Sequence, residues 1–295
     1  MNSIFNSCIN LKNLNIQNFN TEKITNMSHT FAQCSSLTSI DLSSFNTEKV
    51  TSMNHMFSKC ESLSYLNITN FNTKEVKDLS NMFENNLLLK NIDFNFDTNK
   101  VNNFSYMFYN CESLSNLNLT YFNTKEVKDM SYMFYNCKSL VFLDINNFDM
   151  TSVTNIESMF SDCSSLTNLN LSNFKTSNLF NAKKLFYGCK QLEILDIGNF
   201  DTKYLTSLEY MFYKCSNLTY LNLSNFDTSR VTNMGFMLNS CYGLKELDIT
   251  NFNTENCESF TGMFTGIKEL KIIIKEEGNQ NLINKIPDYF DIEKK

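Results

Sequence analysis

Apolar and polar positions alternate in short runs that recur along almost the whole chain. In the stretch 34–60, Leu37, Ile40 and Leu42 are apolar, while Ser39 and Asp41 on either side of Ile40 are polar. Successive side chains of a strand point to opposite faces, so this pattern predicts a short strand with one buried face and one exposed face.

A second apolar pattern follows each of these strands. Val50, Met53, Phe57 and Cys60 are three, four and three residues apart, which is the spacing of a helical stripe. The segment is only about ten residues long and contains threonine and valine, so an irregular or 3₁₀ arc is the alternative. Each unit of the pattern therefore predicts a strand, a corner, a short helix or irregular arc, and a return.

The whole pattern repeats about every 26 residues. Marker cysteines are 26 residues apart except for one interval of 51 residues, in which Asn86 takes the place of a cysteine. Because one turn cannot bury its apolar face alone, such a repeat predicts a solenoid whose neighbouring turns cover each other. The marker cysteines are Cys8, Cys34, Cys60, Cys111, Cys137, Cys163, Cys189, Cys215 and Cys241, and the phenylalanines with the same spacing are Phe19, Phe45, Phe71, Phe96, Phe122, Phe148, Phe174, Phe200, Phe226 and Phe252.

The repeat predicts an α/β solenoid of about ten 26-residue turns, with a parallel β-sheet on one face and short helices or irregular arcs on the other. We expect the solenoid to occupy residues 1–266, with an incomplete first turn because Met1 falls at the repeat phase of Met27. The apolar segment Ile272–Ile274 and the charged, non-repeating residues after it predict a capping strand and tail at 267–295.

One segment carries the repeat in a form that is specific to a known family. Residues Tyr132–Leu140 read Y-M-F-Y-N-C-K-S-L, within the wider pattern M-x-x-M-F-x-x-C-x-S-L-x-x-L-D-L-S-x-F-D-T-x-x-V-T-N-M. The pattern resembles the BspA-like leucine-rich-repeat surface proteins, including mycoplasma-type lipoproteins, over roughly Met1 to Phe264. The resemblance implies a leucine-rich-repeat superhelix and a non-enzymatic adhesion or protein-binding module at the cell surface or secreted.

Charge and hydropathy bear on partners and location. A net charge of −6 and a pI near 5.1 argue against nucleic acid, which needs a basic groove. No run of 18 apolar residues is present, so we expect no direct membrane insertion. Residues 1–10 lack a signal-peptide pattern, which makes a cytoplasmic interaction scaffold the alternative location and role. The uncapped first turn also predicts a possible self-association.

The sequence carries no recognisable catalytic or cofactor-binding motif, so we expect neither an enzyme nor a cofactor. The 26-residue cysteine spacing differs from zinc-site spacings and indicates buried, reduced thiols. His29 and His55 share one repeat phase and are expected to lie close together, but two histidines without a third ligand do not make a metal site.

Asparagine and aspartate alternate at the exposed centre of every predicted strand. Strands lie about 4.8 Å apart, so an interposed asparagine separates two carboxylates by roughly 9–10 Å and limits their repulsion. An acidic strip that reads a ligand or binds a cation is the alternative. The alternating residues are Asn15, Asp41, Asn67, Asp93, Asn118, Asp144, Asn170, Asp196, Asn222 and Asp248.

Larger side chains interrupt the polar strand face at a few positions, and these are the candidate binding residues. Tyr65, Phe142, Ile194 and Tyr220 stand where other turns carry asparagine or serine, and exposed aromatics among polar residues are common interface anchors. Asp144 and Asp196 are expected to orient a basic or hydroxyl-rich part of a protein or other extended macromolecule. Packing across the ladder is the alternative role for the large side chains. A tyrosine-rich outer surface is the alternative site, formed by Tyr106, Tyr132 and Tyr210.

Overall fold

The computed structural model describes residues 1–93 and 95–295, and the chain divides into two compact units. The first unit is Met1–Phe148 and the second is Asp149–Lys295. Each unit consists of repeated turns in which short parallel strands or single β-bridges stack in register. This is the leucine-rich-repeat solenoid that the sequence predicts.

In the first unit, β1 (Ser39–Asp41) and β2 (Tyr65–Asn67) pair in parallel with Ile40 opposite Leu66. Ile40 and Leu66 are buried, while the residues beside them are exposed or half-buried, which confirms the predicted alternation. Before these strands, Ile16 of the first turn is buried, whereas Phe19 is exposed.

The second unit contains two parallel sheets and the C-terminal cap. Strand β3 pairs with β4, and the four remaining strands form a sheet in the order β5-β6-β7-β8. A short helix α1 precedes the last strand, so the cap is more ordered than the tail expected from the sequence. The elements are β3 (Asn168–Asn170), β4 (Ile194–Asp196), β5 (Tyr220–Asn222), β6 (Glu246–Asp248), β7 (Lys271–Ile274), α1 (Gln280–Ile283) and β8 (Asp291–Lys294).

The segment after each strand is an irregular arc, so the predicted short helix is wrong and the irregular arc, given as its alternative, is confirmed. Main-chain N–H groups of an arc bond to the next turn, as Phe31 N does to Met56 O at 2.9 Å and Phe186 N to Met211 O at 2.9 Å. A helix needs those N–H groups for bonds within its own segment. The apolar spacing of three and four therefore reflects a succession of tight turns.

Left-handed residues bend each arc at two fixed positions. His55 and Lys59 have φ of 55° and 61°, and the equivalent residues of other turns repeat these values. This conformation costs L-residues energy, and asparagine or glycine lowers that cost. Asn85, Asn110 and Gly188 occupy the second position in this way.

The cysteine column is buried and reduced. All ten cysteines are thiols, and every one except Cys8 is buried. The Cys60 thiol donates a hydrogen bond to Phe31 O at 3.1 Å, and Cys215 does the same to Phe186 O at 3.1 Å. The column therefore links neighbouring turns by S–H···O contacts and does not form disulfides. Asn86 preserves the link, because its amide donates to Phe57 O at 2.9 Å.

Threonines form a second hydrogen-bonded column at the corner after the strand. The Thr47 hydroxyl donates to Asn72 O at 2.9 Å and accepts from Asn72 N at 2.7 Å. Thr228 makes the same pair of bonds to Asn253, each at 2.8 Å. A buried hydroxyl thus satisfies one N–H and one C=O of the next turn where the sheet ladder is interrupted.

Candidate functional site

The strand face is the surface on which the candidate binding residues lie. Their large apolar side chains are well exposed: Tyr65 by 56% and Phe142 by 66% in the first unit, and Ile194 by 61% and Tyr220 by 49% in the second. Tyr65, Phe142 and Tyr220 each stand one residue before a buried leucine, and Ile194 stands before the half-buried Leu195. The alternation of side chains along an extended chain therefore directs them away from the core. The predicted exposure is confirmed, and a binding role for these residues stays a prediction.

The asparagine and aspartate column forms the corner at the end of each strand. Asp144 Oδ1 accepts Asn146 N at 3.1 Å, and Asp196 Oδ1 accepts Gly198 N at 3.0 Å. Asn222 Oδ1 accepts Ser224 N in the same way at 2.9 Å. Both residue types offer this oxygen, which explains why either one fits. One carboxylate oxygen of Asp144 and of Asp196 is therefore already engaged in the fold.

The register of the strands places a carboxylate beside an amide. Asp41 lies opposite Asn67 and Asp196 opposite Asn170, so aspartates are separated by an intervening asparagine as the sequence predicts. Hydrogen bonds from the main chain and side chain of Ser43 lower the pKa of Asp41 below its ordinary value. The Asp41 carboxylate therefore stays ionised at neutral pH.

Shallow hollows lie beside two of the exposed side chains. In the first unit, a hollow of about 480 Å³ is bordered by Asn13, Ser39, Asp41 and Tyr65. In the second unit, a hollow of about 460 Å³ is bordered by Glu193, Ile194, Ser216 and Asn217, among others. Both place a large exposed side chain beside polar groups, which suits a contact with another macromolecule better than enclosure of a small ligand.

The outer arcs carry columns of stacked rings. The His29 and His55 rings are 4.5 Å apart, and the Tyr106 and Tyr132 rings are 4.6 Å apart. The left-handed residue of each turn places these side chains above one another. Stacking covers most ring faces and leaves the edges outward, so a ring within the column cannot offer a platform to a partner. The predicted closeness of the histidines is confirmed.

A second tyrosine column lies three residues after the first and was missed from the sequence. Tyr109 and Tyr135 stack at 4.7 Å in the first unit, and Tyr187 and Tyr213 at 4.7 Å in the second. The second column packs against the first, with Tyr210 and Tyr213 rings 5.4 Å apart. The signal in the sequence is the shared repeat phase of Tyr109, Tyr135, Tyr187 and Tyr213.

Charged groups border the ring columns. His55 Nδ1 lies 3.6 Å from Glu84 Oε2 in the first unit, and Lys184 Nζ lies 5.7 Å from the centre of the Tyr210 ring in the second. Burial raises the pKa of Glu84, but hydrogen bonds from His55 and Ser58 outweigh burial and lower it overall. These contacts stabilise the arcs.

Metal-binding and membrane-spanning features were sought among the described residues, which exclude residue 94. Over that part of the chain, no three His, Cys, Asp or Glu side chains form a group able to hold a metal ion. Over the same residues, no helix has the length and hydropathy needed to cross a membrane.

Solved structures that are similar to this chain come from several bacteria. A leucine-rich cell surface protein of Faecalibacterium prausnitzii is 15% identical, with 89% of this chain and 79% of that protein covered and a TM-score of 0.40. A leucine-rich-repeat protein of Leptospira interrogans is 10% identical, with 93% and 94% covered and a TM-score of 0.30. The functional domain of InlJ from Listeria monocytogenes, which includes a cysteine ladder, is 15% identical, with 95% and 65% covered and a TM-score of 0.20.

Sequence similarity identifies the family. No curated protein matches the chain. A family model described as "Mycoplasma protein of unknown function, DUF285" matches three overlapping segments, residues 1–115, 84–194 and 181–291. These segments extend over nearly the whole sequence. The chain therefore belongs to this Mycoplasma repeat family.

Proposed function

We propose that the protein is a non-enzymatic binding module that recognises another protein or an extended macromolecule through its strand face. The observation that carries the proposal is the exposure of Phe142 and Tyr220, together with Tyr65 and Ile194, on a face that is otherwise polar. Large exposed side chains surrounded by polar groups are typical anchors of an interface. Because the repeat holds the turns of each unit in register, the anchors within one unit have fixed positions and lose little entropy on binding.

The hydrogen bonds that Asp144 and Asp196 make within the fold indicate how the acidic column could contribute to binding. Asp144 and Asp196 each use one oxygen to hold the strand corner. They are proposed to act as fixed acceptors that orient a basic or hydroxyl-rich part of the partner. A fixed carboxylate loses less freedom on binding than a mobile surface residue does.

The test requires a partner that is first isolated by its binding to the intact chain. Phe142→Ser and Tyr220→Ser are each compared with a matched change of an exposed tyrosine outside the strands, Tyr121→Ser in the first unit and Tyr242→Ser in the second. An anchor that contributes about 2 kcal/mol corresponds to a loss of affinity of about 30-fold. Unchanged affinity in correctly folded Phe142→Ser and Tyr220→Ser variants would contradict the proposal.

Two observations favour different locations. The family resemblance favours the cell surface, whereas ten cysteines that all remain thiols are typical of a reducing compartment. We infer an adhesion role at the surface, with an intracellular interaction scaffold as the alternative. Protease treatment of intact cells decides between them, because a surface protein is degraded while a cytoplasmic control survives. Survival of the protein together with that control would contradict the surface role.

A further inference from the structure

Arcs of the second unit expose donors on one edge and acceptors on the other. Phe236 N donates to Thr261 O at 2.7 Å, and Ser240 N donates to Thr265 O at 2.8 Å. Each internal arc thus donates N–H groups to the following turn and offers carbonyls to the preceding turn. The last arc, residues 258–266, has no following arc to accept hydrogen bonds from its N–H groups.

The C-terminal cap continues two sides of the last turn. Strand β8 pairs with β7 and extends the sheet, and Gly278 O accepts Thr254 N at 2.8 Å at the threonine corner. The arc side is not continued in this way. Within residues 1–93 and 95–295, four N–H groups of the arc form no hydrogen bond to the chain, those of Phe260, Gly262, Phe264 and Gly266.

These donors border an open groove. The groove has a volume of about 690 Å³ and lies between the last arc and the segment 285–289, from which Lys285, Pro287 and Tyr289 form the opposite wall. This volume is within the range of roughly 300–1,000 Å³ that is usual for ligand sites. Unpaired main-chain donors cost free energy when they are buried. An open groove avoids that cost and leaves the donors accessible to a ligand.

Glycine occupies both left-handed positions of the last arc. Gly262 has φ of 64° and Gly266 has φ of 92°, where the preceding arc carries Phe236 and Ser240. A Cβ at residue 262 would lie 2.7 Å from Phe236 Cε1, and one at residue 266 would lie 2.9 Å from Tyr242 Cε1. Glycine at both positions avoids these contacts and leaves the main chain of the arc without side-chain cover at two of its four donors.

The chemistry of the groove selects the occupant. A strand edge offers N–H and C=O groups alternately and would pair with another strand, whereas this row offers donors alone. Main-chain N–H groups in turns of alternating handedness form concave sites for anions. Lys285 adds a positive charge at the opposite wall, and Glu258 is the acidic residue at the start of the arc.

We propose that this groove binds an acidic peptide segment, whose carboxylates accept hydrogen bonds from the N–H groups of residues 260, 262, 264 and 266 and pair with Lys285. The site is separate from the strand face. It adds a second recognition surface at the end of the second unit, and its loss leaves the proposed function unaffected.

Nuclear magnetic resonance of the ¹⁵N-labelled full chain tests the proposal with a hexaglutamate peptide as the probe. The amide signals of Gly262 and Gly266 are expected to shift and saturate. The matched control is Gly235 of the preceding arc, whose N–H already donates to Asn233 Oδ1 at 2.8 Å and is expected to stay in place. Lys285→Gln should weaken binding about 10-fold, while Lys268→Gln, an exposed lysine just after the arc, should not.

Three outcomes would overturn the proposal. The first is the absence of shifts at Gly262 and Gly266, and the second is an equal response to neutral hexaglutamine. The third is saturation of the same amides by inorganic phosphate with equal affinity, which would make the row a general anion site. Thermal unfolding of Lys285→Gln distinguishes a lost contact from a damaged cap, because a lost contact leaves the unfolding temperature unchanged.

Discussion

Replacing Thr47 by valine tests whether the threonine column holds neighbouring turns together. The hydroxyl is buried, donates to Asn72 O at 2.9 Å and accepts from Asn72 N at 2.7 Å. Valine keeps the shape of the side chain and leaves both main-chain groups of Asn72 without their partner. Each unsatisfied buried group costs about 1–3 kcal/mol. Asn72 itself is exposed, so water satisfies part of that loss, and we expect a destabilisation of about 2 kcal/mol.

Urea unfolding followed by tyrosine fluorescence measures this change, since the chain has 13 tyrosines and no tryptophan. The matched control is Thr51→Val, because Thr51 is exposed and donates a single hydrogen bond to Thr25 O at 3.1 Å. We expect the control to change the free energy of unfolding by less than about 0.5 kcal/mol. An equal loss in both variants, or no loss in Thr47→Val, would refute the reasoning.

Three further predictions concern the columns of the repeat. Asn86→Cys should stabilise the protein by about 1–3 kcal/mol, since the buried Asn86 Oδ1 has no hydrogen-bond partner, and a lower urea midpoint for this variant would contradict that. Cys8 should react first with a thiol reagent, because the other nine cysteines are buried and burial raises the pKa of Cys34 to about 11; mass spectrometry showing uniform labelling or disulfides would argue otherwise. Burial, and then the facing His55 ring, lower the pKa of His29. Near pH 6.5 the unfolded chain therefore binds more protons than the folded chain does. The free energy of unfolding should fall as the pH drops through that value. His29→Asn should reduce this pH dependence, and an identical pH profile in the variant would rule out the histidine pair as its cause.

The strand half of each turn could be predicted from the sequence, because its pattern has a local cause. Ile40 and Leu42 must point inward while Asp41 points outward, whatever the rest of the turn does. The arc is less predictable from the sequence than the strand is. The spacing of Val50, Met53 and Phe57 fits a helix and a chain of tight turns equally, and the choice depends on N–H groups that bond to the next turn.

Part of the candidate site could likewise be predicted from the sequence, and part could not. Exposure of Phe142 and Tyr220 follows from strand alternation and is confirmed. The engagement of Asp144 Oδ1 in the strand corner depends on a turn whose geometry the sequence does not specify. The groove beside Gly262 depends on which sides of the last turn the cap covers, a property of the assembled cap that periodicity in the sequence does not reveal.

Site-specific photo-crosslinking tests the central claim, that the strand face binds a macromolecular partner. A photoreactive phenylalanine analogue is placed at Phe142 and Tyr220 on the strand face, and at Tyr106 and Tyr210 on the outer arcs, and each variant is irradiated with the isolated partner. The account predicts crosslinks to the partner from Phe142, from Tyr220 or from both, and none from the outer arcs. Crosslinks from Tyr106 or Tyr210 alone would contradict it and would place the binding surface on the tyrosine columns.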